Sequence, residues 1–479
     1  MMGAIVLLHR WLGIACCLLF AMWFATGIVM HFVPFPALTE AERFAGLAPV
    51  DLGAVRMTAG AAVQASGVAD ATRVRLLQRP DGPVFVVEGP SRLGAVHAAH
   101  GGPAAVAASE QALAIARDHA ERRGLPAVRA EVVALGDQDQ WSVPNGFDRH
   151  RPLFRIALGD AAGTEIYVSS VTGDVVLDTT RRERGWTYVG SVLHWIYPTV
   201  LRSHWAVWDR VVWWVSLLAL TVAVLGAVLG IARIRRRGNC AVSPYRGWHA
   251  LHHLLGLAAT SFVLSWIFSG WLSMDHGRLF SRGEPTPAQA AVLNAAPDWT
   301  AAPDVAGEQP RLPVAREIEW FAFDGAVYRR DRVTLTNQAL IGAVGPRRDQ
   351  RGGALDLPEL QGLARRLDPD CDAPARLAGD DDYPIRASVP ETPVYRIRCG
   401  SIWFDISAAD GRLLQWLDPS RRAYRWLYQA LHTLDFPALA ARPFLREVVI
   451  VGLCGLGLAF SVTGIVIGWR RLRLAGTGP

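Results

Sequence analysis

The chain has 479 residues, of which 51% are hydrophobic, and its formal net charge at pH 7 is +6. Together with a positive mean hydropathy, this composition is too apolar for a typical soluble enzyme and favours a membrane protein. All the basic residues are arginine, and we interpret the positive charge as a signal of membrane topology, with no nucleic-acid partner expected.

Four apolar runs are long enough to cross a bilayer as helices, which takes about 20 residues each. They cover approximately residues 11–33, 211–232, 254–274 and 448–469. The first run is too long for the apolar region of a secretory signal, and no convincing small-x-small cleavage site follows it. We therefore expect an uncleaved membrane anchor.

The arginines beside these runs predict the orientation of the chain. Arg233, Arg235, Arg236 and Arg237 follow the second run, and Arg470, Arg471 and Arg473 follow the fourth. Short positively charged flanks stay in the cytoplasm. We expect a protein of the bacterial inner (cytoplasmic) membrane, with both termini cytoplasmic and two long segments, about 34–205 and 275–445, in the periplasm.

The first and third runs resemble each other, which indicates an internal duplication. "LLHRWLGI" at 7–14 returns as "ALHHLLGL" at 250–257, which places His9 against His252, 243 residues later. The same offset aligns three further positions: Trp23, Thr26 and Gly27 with Trp266, Ser269 and Gly270.

The second and fourth runs also match, at an offset of 238 residues. "SVLHWIYP" at 191–198 resembles "QALHTLDFP" at 429–437, so that His194 aligns with His432. The same offset aligns Gly226 and Gly230 with Gly464 and Gly468, and Gly173 with Gly411. Each half therefore reads as helix, external domain, helix.

Each external segment is predicted to hold a small α+β unit. "SEQALAIARDHAERRG" (109–124) and "LDLPELQGLARRLD" (355–368) have helical spacing of apolar residues, and alternating runs such as "EIYVSSVTGDVVLD" follow each helix. The earlier run "RVRLLQRPDGPVFVVEG" is expected to extend the first sheet, and 283–315 is expected to be a linker or loop. In an oxidising periplasm Cys371 and Cys399 could form a disulfide.

These motifs resemble a known family. A helix followed by strands with a "TG-x-v" turn looks like a PepSY domain, and "LHRWLG" opening a membrane helix, with "LH" before the next, resembles the PepSY-associated transmembrane helix family over nearly the whole chain. The family includes bacterial inner-membrane proteins linked to iron acquisition, among them siderophore reductases that carry b-type haem. After His194 the chain departs from the family pattern, because it lacks the glycines usual there and has an additional His204.

The expected fold class is a membrane protein with a four-transmembrane-helix bundle, made by duplication of a unit of helix, external α+β PepSY-like domain and helix. The expected divisions are 1–33 (helix 1), 34–185 (first periplasmic domain), 186–232 (interfacial segment and helix 2), 233–247 (cytoplasmic loop), 248–274 (helix 3), 275–420 (second periplasmic domain), 421–470 (interfacial segment and helix 4) and 471–479 (cytoplasmic tail).

Nine of the thirteen histidines lie within or beside the apolar runs. Ionisable residues there are costly and indicate function. Neutral imidazole is the usual axial ligand of b-type haem, and we find no acidic or cysteine cluster that would complete a zinc site. We predict that His9 and His252 hold one haem b and that His194 and His432 hold a second.

Other ligand choices stay open. His31 lies 22 residues after His9, about 33 Å along a straight helix and roughly 40° off the same face. His31 with His276, or His31 with His194, is therefore an alternative pair for the outer site. A structural role is favoured for His204, His249 and His253, and a surface position for His97, His100, His119 and His150.

The predicted function is transmembrane electron transfer through two haems to a periplasmic acceptor. By resemblance the acceptor is a ferric siderophore or other ferric chelate. Electron transfer needs no catalytic acid, base or nucleophile from the protein, and we expect none. We find no dinucleotide, phosphate or flavin motif in the sequence. The electron donor is therefore expected to be external, a quinol or a cytoplasmic reductase. The alternative is a non-enzymatic membrane regulator or assembly factor that binds partners through its PepSY-like domains; a permease fits less well.

Overall fold

The computed structural model describes residues 2–237, 240–303, 305, 314–342, 354–385 and 393–476. Several predicted segments lie partly outside these residues: helix 1 at 1–33, the cytoplasmic loop at 233–247, the second periplasmic domain at 275–420, the linker at 283–315 and the tail at 471–479.

The first half begins with a long helix, passes through an external segment and ends in a second long helix. Its elements are α1 (Met2–Phe32), α2 (Glu40–Ala45), α3 (Ala59–Ser66), β1 (Arg73–Arg79), β2 (Gly82–Glu88), β3 (Leu93–His97), α4 (Ser109–Arg122), β4 (Glu131–Gly136), β5 (Leu153–Ala157), β6 (Glu165–Ser169), β7 (Val175–Thr179), α5 (Arg181–Thr187), a π-helix (Tyr188–Val192), α6 (Thr199–Arg202) and α7 (Trp205–Ala232).

The second half has a similar order of elements. They are β8 (Arg235–Arg237), β9 (Cys240–Val242), α8 (Gly247–Leu272), α9 (Pro287–Leu293), β10 (Glu317–Phe323), β11 (Ala326–Arg332), β12 (Gln338–Ile341), α10 (Leu357–Leu367), β13 (Ala375–Arg376), β14 (Val394–Cys399), β15 (Ile402–Ser407), β16 (Leu413–Leu417), α11 (Pro419–Tyr424), a π-helix (Arg425–Ala430), α12 (Leu431–Thr433), α13 (Pro437–Ala440) and α14 (Pro443–Gly476).

Helices α1, α7, α8 and α14 are long and apolar enough to cross a membrane. They form a bundle in which α1 packs against α7 and α14, and α8 packs against the same two helices. Small residues permit close approach: a Cβ built on Gly457 of α14 would lie 2.6 Å from the Phe24 ring of α1. The chain leaves α1 at Pro34 and Pro36, which cannot continue a helix.

The two external segments share one six-stranded antiparallel sheet. Its strand order is β12-β11-β10-β1-β2-β3, and the pairing of β1 with β10 joins the segments, with Leu76 opposite Ile318. One face carries an apolar core that includes Phe85 and Trp320. Because a single sheet contains strands from both segments, both must lie at the same end of the helix bundle.

The expectation that residues 73–88 extend the first sheet is wrong. These strands belong to the shared sheet, whereas the sheet after α4 contains β4 to β7 alone. The alternation of apolar and polar residues identified the strands. The partner of β1 in the second half, β10, lies about 240 residues further along the chain, and no local pattern indicates that pairing. Part of 283–315 is also ordered: it holds α9, and Trp299 Nε1 donates to the Ala71 carbonyl at 3.1 Å.

The opposite face of the shared sheet holds buried ion pairs. Glu317 forms ion pairs with Arg43 at 2.9 Å and with Arg332 at 2.6 Å, and Glu319 forms an ion pair with Arg330. Burial alone would raise the pKa of Glu317, but the guanidinium groups of Arg43 and Arg332 hold it well below its ordinary value. Glu317 is therefore held in its ionised form by the arginines that contact it.

Each segment also has the predicted helix against a four-stranded sheet. Helix α4 packs on β4, β5 and β6, and α10 shares a core with strands of the β13 to β16 sheet. Cys371 and Cys399 are joined by a disulfide. The observed helix bounds lie within the two stretches that the apolar spacing indicated.

Candidate functional site

His194 and His432 meet at the end of the bundle that carries the external domains. Their ring centroids are 6.4 Å apart, with ring planes inclined by 66°. The two residues lie 238 positions apart in the chain, so helix packing alone makes them neighbours. We refer to them as the domain-side pair.

The same two backbone irregularities flank both members of the domain-side pair. A π-helix ends two residues before each histidine: Tyr188–Val192 and Arg425–Ala430. Two residues after each histidine the backbone is left-handed, with φ of 51° at Ile196 and 50° at Leu434. Both features are rare, the left-handed one especially for a β-branched residue, and both concentrate at functional sites. The chain thus bends out of regular helix to present these two rings.

Hydroxyl groups of α1 and α8 hold the Nδ1 atoms of the domain-side pair. Thr26 Oγ1 lies 3.0 Å from His194 Nδ1, and Ser269 Oγ lies 3.1 Å from His432 Nδ1. Each hydroxyl donates its own hydrogen to a carbonyl of its helix, at 2.7 Å and 3.1 Å respectively. The oxygen is therefore left to accept from Nδ1–H, so that Nε2 carries the free lone pair of each neutral ring.

Burial keeps the domain-side pair neutral. It lowers the pKa of His194 to about 3, with a smaller contribution from the neighbouring His432, and it lowers the pKa of His432 to about 4. Both rings keep partial exposure although protein surrounds them. Neutral imidazoles with available Nε2 atoms are the form in which histidine binds a metal.

A second pair, His9 of α1 and His252 of α8, lies near the opposite end of the bundle; we call it the far-side pair. No ring contact joins these two residues within the described part of the chain. His252 Nδ1 lies 2.8 Å from Thr463 Oγ1, and its ring stacks on Phe460 with centroids 4.7 Å apart. His9 Nδ1 is buried and has no hydrogen-bond partner, although the Val222 carbonyl lies near its ring.

A glycine of a neighbouring helix lies against each of the four rings. The distances from a Cβ built on the glycine to the histidine Cε1 are 3.6 Å for Gly27 and His194, 3.2 Å for Gly270 and His432, 2.9 Å for Gly226 and His9, and 3.6 Å for Gly464 and His252. Any larger residue would occupy the space next to the ring. The four glycines therefore form the cradles in which the rings lie.

The other candidate ligands are not brought to either pair. The His31 ring lies against Phe32, and His276 Nδ1 bonds Asp209 at 2.5 Å while its ring packs on Trp213. Within the described part of the chain no ring contact joins His31 to His276, so that, among the candidate ligands, ring contact is found for His194 and His432.

The three histidines for which a structural role is favoured make no ring contact with either pair within the described residues. His253 bonds Ser243 at 3.0 Å and the Gly230 carbonyl at 2.9 Å, so both of its nitrogens are occupied. His204 bonds Ser203 and the carbonyl of Val200 next to it. His249 is exposed.

The surface position predicted for two external histidines is wrong. His119 is 4% exposed, and its Nδ1 would lie 2.0 Å from a Cβ on Gly46. Burial lowers its pKa to about 4. His150 is partly buried, with a buried Nδ1. Both residues contact elements from elsewhere in the sequence, so their local patterns gave no indication of burial.

The residues around the rings were identified only in part. The repeat aligned Thr26 with Ser269 and Gly226 with Gly464, but it gave these residues no role, and Thr463 was missed. Their common signal is a hydroxyl residue followed by glycine inside a membrane helix, which recurs at 26–27, 269–270 and 463–464.

The domain-side pair would hold one haem iron through the Nε2 atoms of His194 and His432, whose ring centroids lie 6.4 Å apart. Among the described residues no group of three His, Cys, Asp or Glu side chains would hold a bare metal ion. Two neighbouring histidines would instead suit a metal whose remaining ligands come from a macrocycle.

The fold is that of a membrane protein with four candidate spanning helices, external sheet-rich domains and one histidine pair, His194 with His432, at the domain end of the bundle. The chain matches the family model described as the PepSY-associated TM region over residues 6–471, and it belongs to that family. A comparison with curated proteins gave no match.

Proposed function

We propose that this protein is a b-type haem electron carrier of the bacterial inner membrane, which reduces a periplasmic ferric siderophore or other ferric chelate for iron acquisition. The observation that carries the proposal is the domain-side pair, whose ring separation and free Nε2 atoms suit one haem iron. The far-side pair would hold a second haem. The class of acceptor rests on the family resemblance.

The positions of the two pairs suit conduction across a bilayer. His9 and Gly27, which mark the two levels on α1, are separated by about 27 Å of helix, close to the roughly 30 Å of a hydrocarbon core. A haem bound at each level would take up and release one electron at its iron. The chain itself supplies the ligands, and hydroxyl groups at the Nδ1 atoms of His194, His432 and His252 orient three of the four rings.

The topology we propose has the external domains in the periplasm. The arginine-rich flanks, including Arg233 and Arg470, lie at the end of the bundle opposite the shared sheet, as expected of cytoplasmic flanks. The disulfide between Cys371 and Cys399 suits an oxidising compartment. Both termini would then be cytoplasmic, and the electron donor would be a quinol or a cytoplasmic reductase.

We also propose that the chain arose by internal duplication. The repeats at offsets of 243 and 238 residues support this, and so do the contacts: at both domain-side histidines a hydroxyl and a glycine of the partner helix touch the ring. The corresponding π-helices and left-handed residues provide further support.

The first experiment is to purify the full chain in detergent, after expression with haem precursor, and to record its reduced-minus-oxidised spectrum with a pyridine haemochrome count. We expect a low-spin b-type signal and two haems per chain. His194→Ala and His432→Ala should each remove one haem, as should His9→Ala and His252→Ala. The matched control is His249→Ala, because that residue is exposed.

A further test addresses the acceptor. Protein reduced under anaerobic conditions should be reoxidised by a ferric siderophore, and the iron released should be trapped by a ferrous chelator. Absence of haem from the wild-type protein would contradict the proposal and favour a regulator or assembly factor that binds partners through its external domains. Haem without reoxidation by ferric chelates would contradict the choice of acceptor.

A further inference from the structure

Three of the four histidine cradles have the same two-residue composition. A hydroxyl residue immediately precedes the glycine at Thr26, Ser269 and Thr463, and each hydroxyl lies 2.8–3.1 Å from the Nδ1 of the ring in its cradle. The fourth cradle has Leu225 before Gly226. Leucine has no side-chain acceptor, and His9 Nδ1 is the one member of the four without a hydrogen bond of good geometry, the nearest acceptor being the Val222 carbonyl of the same helix as Leu225.

The hydroxyls act on the rings as acceptors. Thr463 donates its own hydrogen to the Phe460 carbonyl at 2.5 Å, as Thr26 and Ser269 donate to carbonyls of their own helices. A hydroxyl used in this way can only accept from Nδ1–H, which fixes the tautomer and the ring orientation. An acceptor at Nδ1 also makes Nε2 a more basic ligand.

We propose that Thr26, Ser269 and Thr463 are positioning residues that make their histidines strong ligands, and that Leu225 leaves His9 as a weaker ligand than the other three. The inference rests on the proposed function and adds an asymmetry to it. The domain-side site has two hydroxyl-supported ligands, whereas the far-side site has one. A stronger ligand stabilises the oxidised iron, so loss of an acceptor raises a haem's reduction potential and gain of an acceptor lowers it.

Leu225→Thr is the decisive variant, because it adds the missing group. Gly226 approaches His9 at least as closely as Gly464 approaches His252, with Cβ distances to Nδ1 of 3.6 Å and 3.9 Å. A threonine at 225 would therefore place its hydroxyl by His9 as Thr463 does by His252. A merely structural role for these residues predicts no gain from this change.

The test is a spectroelectrochemical titration of the full haem-loaded protein in detergent. Thr26→Val and Ser269→Ala should shift the domain-side haem to a more positive potential, and Thr463→Val should do the same for the far-side haem. Leu225→Thr should shift the far-side haem to a more negative potential. Thr221→Val is the control, because this exposed hydroxyl lies on the same helix as Leu225 and bonds its own backbone.

The two haems are assigned by repeating the titration in His194→Ala, which is expected to retain the far-side haem alone. If Thr26→Val lost haem, Thr26→Ser should restore both occupancy and potential, and failure of that rescue would overturn the inference. Two haems with unchanged potentials in Leu225→Thr and Thr463→Val would also overturn it, while leaving the proposed function intact. A wild-type chain without haem would instead refute the proposed function itself.

Discussion

Under the proposed function, substituting each cradle glycine by alanine should affect haem binding in an order set by the structure. A Cβ at Gly226 would lie 2.9 Å from His9 Cε1, closer than real Cβ atoms come to a neighbour, whereas at Gly464 it would lie 3.6 Å from His252, an ordinary contact. Both residues serve the far-side pair. Gly226→Ala must therefore displace the His9 ring, and Gly464→Ala need not move its ring.

The magnitude follows from the cost of overpacking. Inserting a methyl group into a filled space costs about 1–3 kcal/mol, which corresponds to haem affinity lower by about 5- to 150-fold. We expect this loss for Gly226→Ala and near-wild-type affinity for Gly464→Ala. At the domain-side pair we expect a smaller difference in haem affinity between the two variants. A Cβ at Gly270 would lie 3.2 Å from His432 Cε1, and a Cβ at Gly27 would lie 3.6 Å from His194 Cε1. Helix propensity changes equally in all four variants and cancels.

The assay is haem retention, measured by pyridine haemochrome after transfer to apomyoglobin as a competing acceptor. Each variant is compared with its partner at the same site, so differences in expression or detergent are controlled. A Gly226→Ala protein that keeps its far-side haem while Gly464→Ala loses it would refute the cradle geometry. Equal loss in all four variants would show that the glycines act through the helices rather than through the rings.

Three further predictions concern the external domains. Glu317→Ala should lower their free energy of unfolding by about 3–5 kcal/mol, because it leaves buried arginines unpaired. Calorimetry should show little change for the control Glu110→Ala, since Glu110 is exposed. Equal destabilisation by both substitutions would contradict the ion-pair account. Because the pKa of His119 is about 4 when folded and about 6.5 when unfolded, the unfolded state binds the proton first. The free energy of unfolding should therefore fall as the pH drops from 6.5 to 4, by up to about 3 kcal/mol. If the free energy of unfolding of His119→Gln fell with pH as steeply as that of the wild type, this reasoning would be refuted. Removing the Cys371–Cys399 disulfide, which spans 28 residues, should cost about 3–4 kcal/mol, so a reductant that leaves the unfolding temperature unchanged would contradict its structural role.

The sequence by itself determined the features that depend on local composition. Spans of about 20 apolar residues identified the four membrane helices, and 3.6-residue periodicity located α4 and α10. The repeated motifs singled out His9, His252, His194 and His432 among thirteen histidines. These signals are visible in the sequence because hydropathy and periodicity depend on neighbouring residues, and repetition is found by comparing one short motif with another.

Only the tertiary structure decided which distant groups meet. The pairing of β1 with β10 joins strands from different halves of the chain. Because the hydrogen bonds between paired strands are made by the backbone, the sequence of one strand does not identify its partner strand. The same holds for His119, which is buried by the packing of another element against Gly46. Around the rings, Thr463 and Gly226 are important only because helix packing places them beside His252 and His9. A side-chain contact between helices depends on their rotation and distance, and neither is contained in the local pattern.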